Sequence, residues 1–140
     1  MTQPPDYNTI ENAARRVQPY IHRTYVVASQ HDAYRSFYEG KFIPSVNPVT
    51  IADGLLTSLG TLTYPIIKKY VDEIVTVKEE TIIEAMKLIW ERLKIIVEPS
   101  AAVPFAAILE NKSKFKNKRT GIILSGGNVD LDKLPWYKKY

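Results

Sequence analysis

Thr120-Gly-Ile-Ile-Leu-Ser-Gly-Gly-Asn-Val-Asp-Leu-Asp132 is the stretch whose reading decides the fold. Gly121 to Leu124 has the apolar character of a short buried strand, and Ser125-Gly126-Gly127-Asn128 then turns the chain sharply. A strand emptying into a Ser-Gly-Gly turn presents a hydroxyl and free backbone N–H groups at the carboxyl edge of a sheet. Open α/β sheets bind ligands at that edge. The motif is short, and turns of this kind also occur with no ligand, so its neighbours decide its weight.

Upstream, the pattern alternates between helices and short apolar strands. Asn8-Thr9-Ile10-Glu11 has capping-box spacing, with Asn8 as cap and Glu11 reaching back, and opens a helix to Val17 that Pro19 ends. Ile21 to Val27 is β-branched and aromatic and reads as extended. Ser29-Gln30-His31-Asp32 joins it, without a turn signature, to a helical piece from Ala33 to Glu39 that Gly40 closes. Residues 41–50 are a proline-containing loop. Ile51-Ala52-Asp53-Gly54 opens the next unit, a helix covers Pro65 to Val71, and Ile74 to Val77 is a buried strand.

Thr76-x-x-Glu79 is a second capping box and predicts the longest helix over Glu79 to Val97. Ile82, Met86, Ile89, Leu93 and Ile96 recur at helical spacing, an apolar face suited to a sheet or a neighbouring subunit. Pro99 breaks that helix after Glu98. Ala101 to Leu109 is so apolar that a helix there must be buried on most sides. The order of helices and short apolar strands argues for an α/β fold with parallel pairing.

Composition narrows the function classes. A chain of 140 residues with 45% hydrophobic and 24% charged residues is the size and make-up of one globular domain. Without cysteine, thiolate nucleophiles, disulfides and Cys-ligated zinc are excluded, and a reducing cytoplasm fits. No apolar run is long enough to cross a membrane, and MTQPPDYNTI lacks the basic-then-apolar order of a signal peptide. The net charge of +4 is concentrated in Lys112 to Arg119 and in Lys138-Lys139; the expectation is a solvated loop rather than a nucleic-acid surface.

The familiar catalytic constellations are absent: no GxSxG, Walker A or GxGxxG occurs, and no carboxylate stands at ligand spacing from His22 or His31. One pairing hints at a site. Glu98, read as the end of the long helix, and Ser125 to Asn128, read as the end of a strand, both fall at element termini. A carboxylate at a helix C-terminus opposes the macrodipole, which points weakly to a role; an exposed glutamate tolerated at small cost fits as well.

Thr50-Ile51-Ala52-Asp53-Gly54, Trp90-Glu91-Arg92-Leu93, Glu98-Pro99-Ser100-Ala101 and Leu124-Ser125-Gly126-Gly127-Asn128-Val129-Asp130 follow one another along the chain. In that order and at that spacing they resemble the serine racemase and threonine dehydratase family of fold type II pyridoxal-phosphate enzymes. Asp32 to Phe37 with Gly40-Lys41 is similar to the segment before TIADG in that family. Ile10 to Ala13 and Tyr20 to Thr24 resemble its first helix and HRTP strand, with Tyr25 in place of the proline.

The resemblance implies a remnant of the large domain, a parallel sheet flanked by helices with the small domain absent. Residues 1–30 would supply the first helix and strand and residues 31–140 the C-terminal part, together one α/β domain. It implies pyridoxal 5'-phosphate as cofactor, with Ser125 on the pyridine nitrogen and Gly126, Gly127 and Glu98 beside it. Racemase-like members further suggest nucleotide (ATP) contacts at Ser29 and Asn128, and a Mg2+ contact at Glu11, for which the capping-box role serves equally well.

The family's SFKxRGA-like segment with its Schiff-base lysine, the SSGNH-like loop and the GGGG-like phosphate loop are missing, as though two ends were closed over an absent middle near Ser29 to Asp32. No catalytic lysine is therefore assigned. Two readings follow: a dehydratase or racemase of small hydroxy amino acids by descent that is inactive as this chain, or a non-catalytic module pairing with itself or with a full-length relative through the Ile82 to Ile96 face. A third, weaker one is a stub holding a nucleotide or anion at Ser125 to Asn128.

Overall fold

The computed structural model describes Asn8, Glu11, Asn12, Arg15, Arg16, residues 25–28 and residues 31–137. In chain order the elements are β1 (Tyr25–Ala28), α1 (His31–Glu39), a 3-10 turn (Asp53–Leu55), α2 (Thr63–Tyr70), β2 (Glu73–Thr76), α3 (Glu79–Leu93), α4 (Pro99–Glu110), the short α5 (Lys112–Phe115) and a final 3-10 turn (Leu131–Lys133). β1 and β2 pair in parallel, Tyr25 opposite Glu73 through Ala28 opposite Thr76. Parallel neighbours need a long crossover, which α1 and α2 provide.

The expected α/β class with parallel pairing is what forms. Asn8 is already helical, so it is not the cap expected there, and Glu11 pairs with Arg15 and Lys69. Ile10, Ala13, Ala14, Val17 and residues 21–24, on which other parts of that expectation fall, lie outside the described residues, as does Ser29.

The crossover is pinned to β2 by the Tyr38 hydroxyl, which donates to the Ile74 carbonyl at 3.3 Å. Phe37 packs with Ile74, both buried. Ser36, fully buried, accepts the Ile43 N–H at 2.9 Å and donates to the Ile43 carbonyl at 3.2 Å, so the hydroxyl is satisfied. The Lys68 ammonium donates to the Phe37 carbonyl at 2.5 Å and lies 4.7 Å from the Phe37 ring centroid. Gly40 closes α1 at φ +71, as its sequence position suggests. A Cβ at Gly40 meets nothing within 4 Å. Gly40→Ala is therefore expected to cost only the left-handed backbone penalty of about 1 kcal/mol, read as a small fall in the urea midpoint.

The main core lies between α3 and α4. Ile82, Ala85, Met86 and Ile89 of α3 pack on Ala101, Ala102, Val103, Ala106 and Ala107 of α4, all buried. Alanines along α4 let the two helices approach closely, and the segment expected to be buried on most sides is so at Ala101 to Val103, Ala106 and Ala107, with Pro104, Phe105, Ile108 and Leu109 partly buried. Glu110 at the end of α4 accepts the Lys78 N–H at 2.8 Å, covering a donor that α3 leaves unpaired at its start.

Four expectations are corrected. The long helix stops at Leu93, not Val97: Lys94 adopts a left-handed φ of 59°, and the Trp90 indole donates to the Val97 carbonyl at 2.9 Å, folding the chain back. The apolar face then divides. Ile82, Met86 and Ile89 belong to the core while Leu93 and Ile96 are exposed, so the expected docking face is mostly occupied from within.

The Thr76 capping box does not form. Thr76 is the last residue of β2, Lys78 is the cap, and Glu79 accepts the Ile51 N–H at 2.9 Å. The basic run is also not wholly a loop, since it contains α5, whose Lys114 forms an ion pair with Glu73 on β2.

The fourth correction concerns Gly121 to Leu124, which forms no strand. The segment is exposed, with Ile123 80% accessible, and from Arg119 to Ser125 no backbone N–H or C=O hydrogen-bonds within the described residues. A strand exists only as part of a ladder, and no described segment completes one here.

Candidate functional site at the Ser125–Asn128 turn

The site is assembled where the entry to α4 meets the Ser125–Asn128 turn. Glu98 caps α4 at φ −79 and ψ 164, with Pro99 in the first turn. This reverses the macrodipole expectation: the carboxylate sits at a helix N-terminus, where negative charge is favoured. It also spans the gap to the turn. The Glu98 N–H donates to the Gly126 carbonyl at 3.0 Å, and the Asn128 N–H donates to Glu98 Oε2 at 3.0 Å.

Gly127 is required by this approach, and Gly126 leaves room for the Glu98 carboxylate. A Cβ at Gly126 would lie 2.8 Å from the Glu98 carboxyl carbon, and one at Gly127 would lie 2.6 Å from the Ile96 carbonyl oxygen. The structure thus brings together Glu98, Gly126, Gly127 and Asn128. Ser125 is exposed at the same turn, its hydroxyl without a hydrogen-bond partner among the described residues.

Two features were not singled out from sequence. The Gly54 N–H donates to Ser100 Oγ at 3.0 Å and to its neighbour Asp53 at 2.8 Å, tying the Ile51–Gly54 motif to the first turn of α4. The Asp-Gly pair was the available signal. Beyond Asn128 the chain also lines a cleft of about 180 Å3 with Ile51, Asp53, Met86, Pro99 and Leu134. Asp130 and Lys133 stand at its edge, joined at 2.9 Å. The Asp130 carboxyl is held below its ordinary range by the Lys133 ammonium and then by the Asp132 N–H.

Glu11 stands in a different environment. Its carboxylate lies 3.2 Å from Arg15 and 3.5 Å from Lys69, and the Arg15 hydrogen bond foremost holds its pKa down. That is the setting of an ion pair rather than a metal ligand. No cluster of three or more His, Asp or Glu placed to hold a metal occurs among the described residues. No described helix is long and apolar enough to cross a membrane.

A parallel α/β unit with a Ser-Gly-Gly turn against a helix entry is the architecture of the large domain of fold type II pyridoxal-phosphate enzymes. The model of the family described as "Pyridoxal-phosphate dependent enzyme" matches residues 11–126, and the chain belongs to that family.

Among its relatives, the beta-hydroxyaspartate dehydratase of Paracoccus denitrificans (strain Pd 1222) is 55% identical over 105 residues, 75% of this chain and 33% of that protein. The serine racemase of Dictyostelium discoideum is 54% identical over 108 residues, 74% of this chain and 33% of that protein. Among solved structures, a T.th. threonine deaminase superimposes with a TM-score of 0.77 at 37% identity, covering 87% of this chain and 42% of that one. Maize serine racemase gives 0.77 at 38%, covering 89% and 40%. The chain spans about a third of the length of the curated relatives it matches.

The family implies pyridoxal phosphate, and the described residues can be tested against it. Small-molecule sites typically enclose about 300–1,000 Å3. The cleft of about 180 Å3 falls below that range, and of the Ser125–Asn128 turn only Asn128 lines it. The polar groups gathered at the turn, Glu98 and the Asn128 N–H, satisfy each other. Lys133 alone among the cleft's lining residues carries an amine, and its ammonium is paired with Asp130. These residues do not fit the cofactor, and no catalytic step is derived through it.

Proposed function

We propose that this chain is a large-domain remnant of a pyridoxal-phosphate lyase or racemase acting on small hydroxy amino acids, and that by itself it performs neither reaction. Residues 1–30 and 31–140 serve as the two parts of one α/β domain. The observation that carries the reading is the closed turn: Glu98 fills the space behind Gly126 and bonds Asn128, while Ser125 stands in solvent with no enclosing wall. The hydroxy amino acid class comes from the names of the relatives, a hydroxyaspartate dehydratase and serine racemases. Elimination or racemisation at such a substrate needs an amine to hold the cofactor and a base for the α-proton, and the turn supplies neither.

The test is product formation from serine, threonine and 3-hydroxyaspartate with added pyridoxal phosphate. The expected result is keto acid and racemised product at the rate given by free pyridoxal phosphate alone. A rate well above that background, abolished by Ser125→Ala, would overturn the proposal.

A second reading, association with another polypeptide, is favoured by one observation. The apolar Ile122, Ile123 and Leu124 are exposed in a segment whose backbone makes no hydrogen bond within the described residues, and Ile95 and Ile96 are exposed as well.

A further inference from the structure

We infer that the Arg119–Thr120 bond is a processing site for an endopeptidase of the trypsin class, whose acidic pocket takes the basic side chain that precedes the scissile bond. The inference stands apart from the function proposed above. Such an enzyme binds its substrate as an extended strand, so it needs a basic residue in backbone that is exposed and not already paired. Residues 116–125 are all exposed, and from Arg119 to Ser125 no backbone N–H or C=O hydrogen-bonds within the described residues. Lys116, Lys118 and Arg119 have no ion-pair partner among the described residues. A cut after Lys116 would fall inside the turn that the Lys118 N–H closes on the Phe115 carbonyl at 3.1 Å, beside Asn117 at a left-handed φ of 62°. Arg119 is the first basic residue beyond that turn. In the cut, the Arg119 carbonyl carbon takes the hydroxyl of one water. The Thr120 nitrogen takes the remaining hydrogen and leaves as an amine.

The other basic residues between 31 and 137 are held by the fold. The second long stretch outside helices and strands, residues 40–62 with its 3-10 turn, carries only Lys41. That ammonium pairs with Glu39 at 3.1 Å, and two residues on the Ile43 N–H bonds the Ser36 hydroxyl. Lys94 is left-handed and its N–H bonds the Trp90 carbonyl. Lys133 lies in a 3-10 turn, with its N–H on the Asp130 carbonyl and its ammonium on the Asp130 carboxylate. The rest sit in helices or, at Lys78, at a helix cap. The cut also leaves the following piece anchored. Glu98 bonds both Gly126 and Asn128, Leu134 is buried in the main core, and the Trp136 ring meets Trp90 edge-on with centroids 5.3 Å apart.

The test is digestion of the full chain with a low ratio of trypsin, with the fragments read by intact mass. Arg119–Thr120 is expected to be cut roughly tenfold or more faster than any other bond after a basic residue between 31 and 137, because it needs no opening of the core. The nicked chain should elute from a sizing column as one species and separate only in denaturant. Thr120→Pro leaves every basic side chain in place and removes an N–H that bonds nothing among the described residues. It should slow the appearance of the nicked form roughly tenfold. In chain unfolded with urea before digestion, the preference for Arg119 should disappear.

A first cut elsewhere between 31 and 137, similar rates at several basic residues, or a preference that survives unfolding would overturn the inference. Separation of residues 120–140 from the native nicked chain would overturn the anchoring of that piece. None of these outcomes changes the keto acid result, so the two proposals fail separately.

Discussion

Ile82→Ala is expected to lower the stability of the chain by about 2–5 kcal/mol, the usual cost of emptying a fully packed isoleucine site. Ile82 is 0% exposed and packs where α3 meets the alanine-rich face of α4. The surrounding alanines have no rotamers with which to fill the space, and their backbones are fixed in α4. The cavity therefore remains, which places the effect towards the upper part of that range. Domains of this size are stable by only about 5–15 kcal/mol, so the urea midpoint should fall by a large fraction. Leu93→Ala, three turns further along the same face of α3 but 58% exposed, should change stability by no more than about 0.5 kcal/mol. Comparable losses at the two positions would mean that α3 does not bury the face described.

Gly127→Ala is the second large effect, and it separates the two glycines of the turn. The added Cβ would lie 2.6 Å from the Ile96 carbonyl oxygen, an approach in which backbone meets backbone and no side chain can give way. The turn must retreat, stretching the Glu98–Gly126 and Asn128–Glu98 hydrogen bonds, both 3.0 Å. A cost of about 1–3 kcal/mol is expected, as for other overpacked positions. It should appear with faster amide exchange at Glu98 and Asn128. Gly126→Ala clashes only with the Glu98 carboxylate, which can swing away, so it should cost less. Combining Gly126→Ala with Glu98→Ala should recover part of that loss. Gly121→Ala, where a Cβ meets nothing within 4 Å, is the control. If Gly127→Ala matched it, the close approach described here would be wrong.

What could be read from the sequence was local. The spacing of Ile82, Met86 and Ile89, the apolar run from Ala101 and the Gly40 terminus each encode their own conformation within a turn or two, and each forms as expected. The errors lie where a distant contact decides. Nothing near Lys94 in sequence signals that the Trp90 indole will bond Val97 and end α3, or that Pro99 will begin a helix rather than terminate one. Gly121 to Leu124 has strand chemistry but no ladder partner among the described residues, and pairing is a property of two segments.

The site shows the same division. Ser125, Gly126, Gly127 and Glu98 were legible as a motif-borne constellation. That Glu98 closes the turn instead of leaving it open depends on the packing of α4, beyond the reach of a local pattern.

The central claim is that a chain of the pyridoxal-phosphate dependent enzyme family carries the turn but not the means to hold the cofactor. Borohydride reduction of the purified chain mixed with pyridoxal phosphate, followed by peptide mass spectrometry, tests it most directly. The account predicts low, scattered labelling across exposed lysines, with no absorbance band beyond that of the free aldehyde and its weak surface adducts. Stoichiometric labelling of one lysine, together with a protein-bound aldimine band that Ser125→Ala shifts, would contradict it.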